Sequence, residues 1–194
     1  MPQDFEADRQ ALLAKLKQKS VSFGDFLLSS GGRSSFYIDC RLTTLDPEGA
    51  VLVGRVLNAM IQREIAESGA PVKAVGGLTM GADPVALAIG MASFTEASPQ
   101  LLQVFSVRKA PKGHGQTKLI EGNFNPGESV VVLDDVVTRG DSTLRAIESI
   151  EQAGGKVAFV AVLVDREEGG GDKIRALGHK VLAAFRRVEL TGDI

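Results

Sequence analysis

The sequence predicts an α/β fold with a mostly parallel central sheet flanked by helices. Apolar, strand-like runs at 72–75, 101–107, 129–134 and 156–164 alternate with helical patterns at 47–67, 83–92 and 141–153. Strands separated in this way by helices pair in parallel. Polar or Gly-rich loops follow Val75, Leu133 and Val164, at the strand ends where ligands sit in open α/β sheets.

The first element, 4–17, reads as a helix with Leu12, Leu13 and Leu16 on one side. Residues 21–41 hold short strands broken by Ser29-Ser30-Gly31-Gly32, a small β-rich unit. Pro47 opens a long helix to about residue 67. A short strand at 72–75 is closed by Gly76-Gly77, and Asp83-Pro84 starts the next helix. After the strand at 101–107, residues 108–122 are rich in Lys and Gly without periodicity and read as a mobile loop. Pro126-Gly127 turns the chain into 129–134, and Gly154-Gly155 stops the helix 141–153. Residues 167–176 form a Gly-rich loop with room for a short helix, and 179–185 a last strand.

Composition narrows the function classes. Hydrophobic residues make up 44% and charged residues 24% of 194, ordinary values for a globular protein of one domain, 1–194. A net charge of −2 gives no general attraction to nucleic acid or acidic membranes. With no Trp and one Tyr, base-stacking platforms are scarce. No apolar run approaches the ~18 residues of a bilayer span, and the polar N-terminus does not read as a signal peptide. The single cysteine, Cys40, excludes an internal disulfide and fits a cytoplasmic protein.

Five segments carry candidate chemistry. In the first, an apolar strand ends at Asp134-Asp135 and a loop leads to a helix. Its carboxylates can accept hydrogen bonds from vicinal hydroxyls. Thr138, Gly140, Asp141, Ser142 and Thr143 can wrap a phosphate at the helix N-terminus. Gly140 permits close approach or a positive φ, and Asp141 is expected to cap the helix. In the second, Arg108, Lys109, Lys112 and His114 lie beside Gly113 and Gly115. This suits a lid over a polyanion, where cations stabilise charge on a departing pyrophosphate. The third, 23–41, is a hairpin for which core packing of Phe23, Phe26 and Phe36 is the default. The alternative is a hood whose Phe36 and Tyr37 pack on a flat heterocycle. The fourth, 76–84, offers amides to a pyrophosphate. In the fifth, Arg166 can fork onto a carboxylate.

Together these segments resemble the type I phosphoribosyltransferases and, within them, the orotate phosphoribosyltransferases. Run 130–143 carries the wider likeness. Phe-Gly-x-Phe-x-Leu-x-Ser-Gly with Tyr-Ile-Asp-x-Arg, Gly-Gly-Leu-Thr-x-Gly-Ala-Asp-Pro and Arg-Lys-x-x-Lys-x-His-Gly carry the narrower one. The resemblance covers about 20–188. It implies a type I phosphoribosyltransferase fold, with a hood at about 20–42 and a core at about 43–188. It implies transfer from 5-phosphoribosyl-1-diphosphate (PRPP) to orotate, giving orotidine 5′-monophosphate and pyrophosphate. It further implies PRPP binding by Thr79, Met80, Gly81 and by Asp134, Asp135, Val136, Val137, Thr138, Arg139, Gly140, Asp141 and Ser142. Tyr37, Thr138 and Arg166 would meet orotate. Mg²⁺ would be carried through PRPP, with Asp134 and Asp135 contacting it through water. A homodimer is implied in which Arg108, Lys112 and His114 act on the partner's site and Lys109 on its own. Ser29 and Met80 stand where some members have Lys. The alternatives are a related enzyme acting on a purine or uracil, and a PRPP-sensing regulator.

Overall fold

The computed structural model describes residues 4–27, 33–110 and 118–192. Helix α1 (Phe5–Lys19) is capped by Asp4, whose Oδ1 accepts from the amides of Glu6 and Ala7. Strands β1 (Val21–Leu27) and β2 (Arg33–Ile38) form a separate antiparallel pair, the expected hood. After the short α2 (Arg41–Thr44), helix α3 (Pro47–Ser68) starts with Pro47 behind an Asp46 cap. It ends at Gly69, where φ is 68°.

Then come β3 (Val72–Leu78), α4 (Ala82–Thr95), β4 (Gln103–Val107), β5 (Ile120–Gly122), β6 (Ser129–Val137) and α5 (Asp141–Gln152). Strand β7 (Lys156–Asp165), α6 (Gly170–Ala176), β8 (Val181–Arg186) and α7 (Arg187–Thr191) follow. Among the described residues the main sheet runs β5-β4-β3-β6-β7-β8, parallel except for β5.

The sheet is buried on both faces, as a parallel sheet requires. In β6, Val131 and Leu133 join a core with Val53, Leu57 and Ile61 of α3 and Val85 and Ile89 of α4. Val130 and Val132 face the opposite way, toward Ala146, Ile147 and Ile150 of α5. That alternation is the period-two pattern of a strand.

Three boundaries differ from the sequence reading. Gly76 and Gly77 do not close β3; they lie inside it. A Cβ on Gly76 would stand 2.2 Å from the Phe105 carbonyl oxygen, and one on Gly77 2.0 Å from that of Leu133. These glycines serve close approach of neighbouring strands. Residues 120–122 are not loop: β5 pairs with β4. Strand β6 runs three residues past Asp134, because β7 continues to pair with it. Gly77→Ala should lower unfolding stability by about 3 kcal/mol, since the Leu133 backbone on β6 cannot yield and Ala82 closes the other approach. An unchanged urea midpoint would contradict this packing account.

Candidate active site

Strand order reverses between β3 and β6, because β4 leaves β3 on one side and β7 leaves β6 on the other. The crevice at such a switch point lies outside the carboxyl ends of the strands. The β3–β6 ladder ends at Gly77↔Leu133, whereas β6 stays paired with β7 to Val137↔Asp165. Asp134 and Asp135 therefore sit on a strand that is paired on one edge and open on the other. The open edge meets the turn after β3, where a Cβ on Gly81 would lie 2.3 Å from Asp135 Oδ1.

Both carboxylates are buried, with Asp134 5% and Asp135 8% exposed. Oδ2 of Asp134 accepts from Ser142 Oγ at 2.6 Å and Thr143 Oγ1 at 2.7 Å. Asp135 Oδ1 accepts from the Val136 amide at 3.0 Å. Burial raises the Asp134 carboxyl, opposed by the Ser142 and Thr143 hydroxyls. Burial and then the charge of Asp134 push Asp135 up to about 7. A folded-state value raised above the unfolded one means that the folded chain holds a proton the unfolded chain has released. Stability from this group is then lost as pH rises from about 4 to about 7. Asp135→Asn should flatten that slope and raise the melting temperature of the free protein above neutral pH. A melting-temperature profile as steep in the variant as in the natural chain would contradict the assignment.

Beyond β6 the chain enters α5 through Gly140, whose φ is 81° and which has no side-chain cap. Asp141, expected as the cap, is instead the first helical residue, and its exposed carboxylate lies 3.9 Å from Lys173 Nζ. The positive φ at Gly140 moves the cap position back by one residue. The Ser142 and Thr143 hydroxyls turn inward to Asp134. What the loop presents to an anion is therefore mainly the amide groups at the start of α5. Thr138 is half-buried, Arg139 exposed and Val137 buried.

Two adjoining clefts share Tyr37, Val136 and Ser142. One, of 310 Å³, lies among Thr79, Met80, Gly81, Lys109, Asp134 and Asp135. The other, of 530 Å³, lies among Thr138, Arg139, Gly140, Asp141, Arg166 and Glu168. The structure thus brings together expected residues from all five candidate segments. Tyr37 stands at the shared rim, 42% exposed and 5.8 Å from the Phe26 ring centre. Phe36 is buried as expected for core, but Phe23 is 61% exposed.

Arg108 does not line either cleft; its Nη1 is 3.7 Å from Glu121 Oε1. Arg145 of α5 donates to the Lys109 carbonyl, which holds the root of the 108–115 segment. Lys112 and His114 lie outside the described residues, as do Ser29 and the glycines beside the lid cations.

Arg166 is 5% exposed, with its guanidinium carbon 5.0 Å from the centre of the Phe36 ring. Its Nη2 lies 2.7 Å from Glu168 Oε1.

Some functional contacts were not read from sequence. Asp83, expected only to open α4, accepts from Thr79 Oγ1 at 2.6 Å and Ser106 Oγ at 2.5 Å. It ties the 79–81 turn to the strand that leads into Arg108. Asp39 and Arg41, both lining the smaller cleft, form a two-bond pair, both bonds 2.8 Å. Both residues belong to the Tyr-Ile-Asp-x-Arg run, whose spacing alone assigns the pair no role. Glu168, two residues after Arg166, carried the only signal available for its part in the site: a charge of the right sign close by.

No family model matches the chain. An orotate phosphoribosyltransferase from Aquifex aeolicus is 41% identical over 186 residues, 94% of this chain and 97% of that relative. The solved orotate phosphoribosyltransferase of Mycobacterium tuberculosis H37Rv is 36% identical with a TM-score of 0.79, covering 95% of this chain and 99% of that one. The same enzyme solved with PRPP gives a TM-score of 0.71 at 31% identity, covering 95% of this chain and 92% of that one. The crevice, its acidic strand end and its uncapped helix therefore sit in a sequence and a fold shared over nearly the whole length: this chain belongs to the orotate phosphoribosyltransferase family.

Proposed function

We propose that this chain transfers the 5-phosphoribosyl group of PRPP to orotate, forming orotidine 5′-monophosphate and releasing pyrophosphate in pyrimidine (UMP) biosynthesis. One observation carries the residue-level reading. A buried acidic pair, an uncapped helix N-terminus and a buried arginine open onto two clefts that meet at Tyr37, Val136 and Ser142. Those groups suit, in order, ribose hydroxyls, a 5′-phosphate and a carboxylated base.

In this reading Asp135 accepts from the ribose hydroxyls, and Asp134 fixes the loop through Ser142 and Thr143. The amides of 138–142 hold the 5′-phosphate, with Val136, Val137 and Arg139 shaping its approach. Thr79, Met80 and Gly81 line the path of the pyrophosphate. Tyr37 and Thr138 border the base, whose carboxylate pairs with Arg166. As the bond from the anomeric carbon to pyrophosphate breaks, the bond to the ring nitrogen of orotate forms, that nitrogen gives up its proton to solvent, and charge builds on the pyrophosphate oxygens. Arg108, Lys109, Lys112 and His114 stabilise that charge, while the clefts hold the reactants in line.

Mg²⁺ fits this donor set only through the substrate. Among the described residues no group of three or more metal-ligating side chains gathers, and the two Asp offer outer contacts. When bound, the ion neutralises the leaving pyrophosphate.

We further propose a homodimer with the lid shared between subunits. Lys109 lines the cleft of its own chain, whereas the Arg108 side chain lies outside it. An apolar groove of 460 Å³ between α3 and α4, with Val51 53% and Met91 60% exposed, supplies a surface for self-association. The buried free thiol of Cys40 suits a reducing compartment, and we place the reaction in the cytoplasm. Product analysis tests the function: orotate, PRPP and Mg²⁺ should yield orotidine 5′-monophosphate and pyrophosphate in equal amounts. Hydrolysis of PRPP without a nucleotide product would overturn it.

A further inference from the structure

Arg166 is a buried cation with an incomplete shell. Glu168 Oε1 approaches Nη2 at 2.7 Å, yet among the described residues neither Nε nor Nη2 has an aligned hydrogen-bond partner. Phe36 covers one face of the guanidinium. The Glu168 side chain keeps 35% of its exposure, against 6% for that of Arg166, and both line the 530 Å³ cleft. A guanidinium fork matches a carboxylate through two parallel bonds. Glu168 offers one oxygen to one nitrogen, and its exposed side chain is free to turn outward.

We propose that Glu168 is a specificity-determining residue: in the free site its carboxylate occupies the guanidinium of Arg166, and the carboxylate of the incoming base displaces it. The inference rests on Arg166 being the acceptor of that carboxylate. Exchange of one carboxylate for another means that the buried cation is never left bare, a state that costs several-fold more than a broken surface pair. A neutral base has nothing to offer in exchange, so the resident carboxylate also acts against the wrong substrate. The cost is apparent affinity for the right one, because only the fraction of sites with Glu168 turned away is competent.

The test compares Glu168→Gln and Glu168→Ala with the natural chain, each checked by thermal melting. Both variants leave the buried guanidinium bare until the substrate carboxylate arrives, so the KM for orotate should fall roughly tenfold or more, while the KM for PRPP stays where it was. In an Arg166→Gln background, adding Glu168→Gln should leave the orotate KM unmoved, because the two residues act through one contact. An orotate KM that is unchanged or higher in both Glu168 variants overturns the displacement. A KM for orotate that Arg166→Gln alone does not alter overturns instead the placement of the carboxylate at Arg166. A role in shape alone would raise both KM values together.

Discussion

Arg166→Gln should raise the KM for orotate by on the order of 10²- to 10³-fold and leave the KM for PRPP close to its natural value. The size follows from burial. Arg166 is 5% exposed, and removing one partner of a buried charge pair costs about 2–5 kcal/mol. The selectivity follows from position. Arg166 lies at the end of β7, where its amide donates to the Val137 carbonyl at 2.9 Å, in the cleft that does not contain Asp135 or the 79–81 turn. Arg166→Lys keeps the charge but loses the planar fork, so it should fall between the two. Steady-state kinetics with each substrate varied in turn checks this. An orotate KM within twofold of the natural chain, in a folded variant, would remove Arg166 from base recognition.

Asp134→Ala should weaken PRPP binding by about 10²-fold with a much smaller change in thermal stability. Oδ2 of Asp134 takes both the Ser142 and the Thr143 hydroxyls, and hydrogen bonds to a charged group contribute about 1.5–3 kcal/mol each. Their loss frees the first turn of α5, whose amides are the proposed phosphate site. Stability responds less because removal of a buried carboxylate, whose pKa burial raises, offsets the orphaned hydroxyls. Calorimetry with PRPP and a melting curve separate the two effects. Unchanged PRPP affinity would show that the Asp134 anchor does not organise the loop.

Local chemistry made much of this legible in sequence. The strand–loop–helix run around Asp134 and Asp135, the positive φ at Gly140 and the proline start of α3 follow from residue type and near neighbours. The errors arise where a partner distant in sequence decides. Gly76-Gly77 looks like a turn, but Phe105 and Leu133 on adjacent strands demand glycine there. Residues 120–122 look like loop until β4 gives them a partner. Asp141 was displaced from the cap because Gly140 took that position, its left-handed φ placed against Gly170. The Asp83 link between Thr79 and Ser106 spans 23 residues to β4, a contact that no local pattern encodes. The hood sequence allows its rings two outcomes, core packing or contact with a flat ligand. Burial divided them, placing Phe36 under Arg166 and Tyr37 at the rim.

The most direct measurement of the central claim is the initial rate of base consumption with PRPP and Mg²⁺, run in parallel on orotate, uracil and hypoxanthine. A site built around a buried guanidinium should favour orotate over the bases without a carboxylate by about 10³-fold or more. Comparable rates on orotate and uracil, or consumption of hypoxanthine alone, would contradict the account.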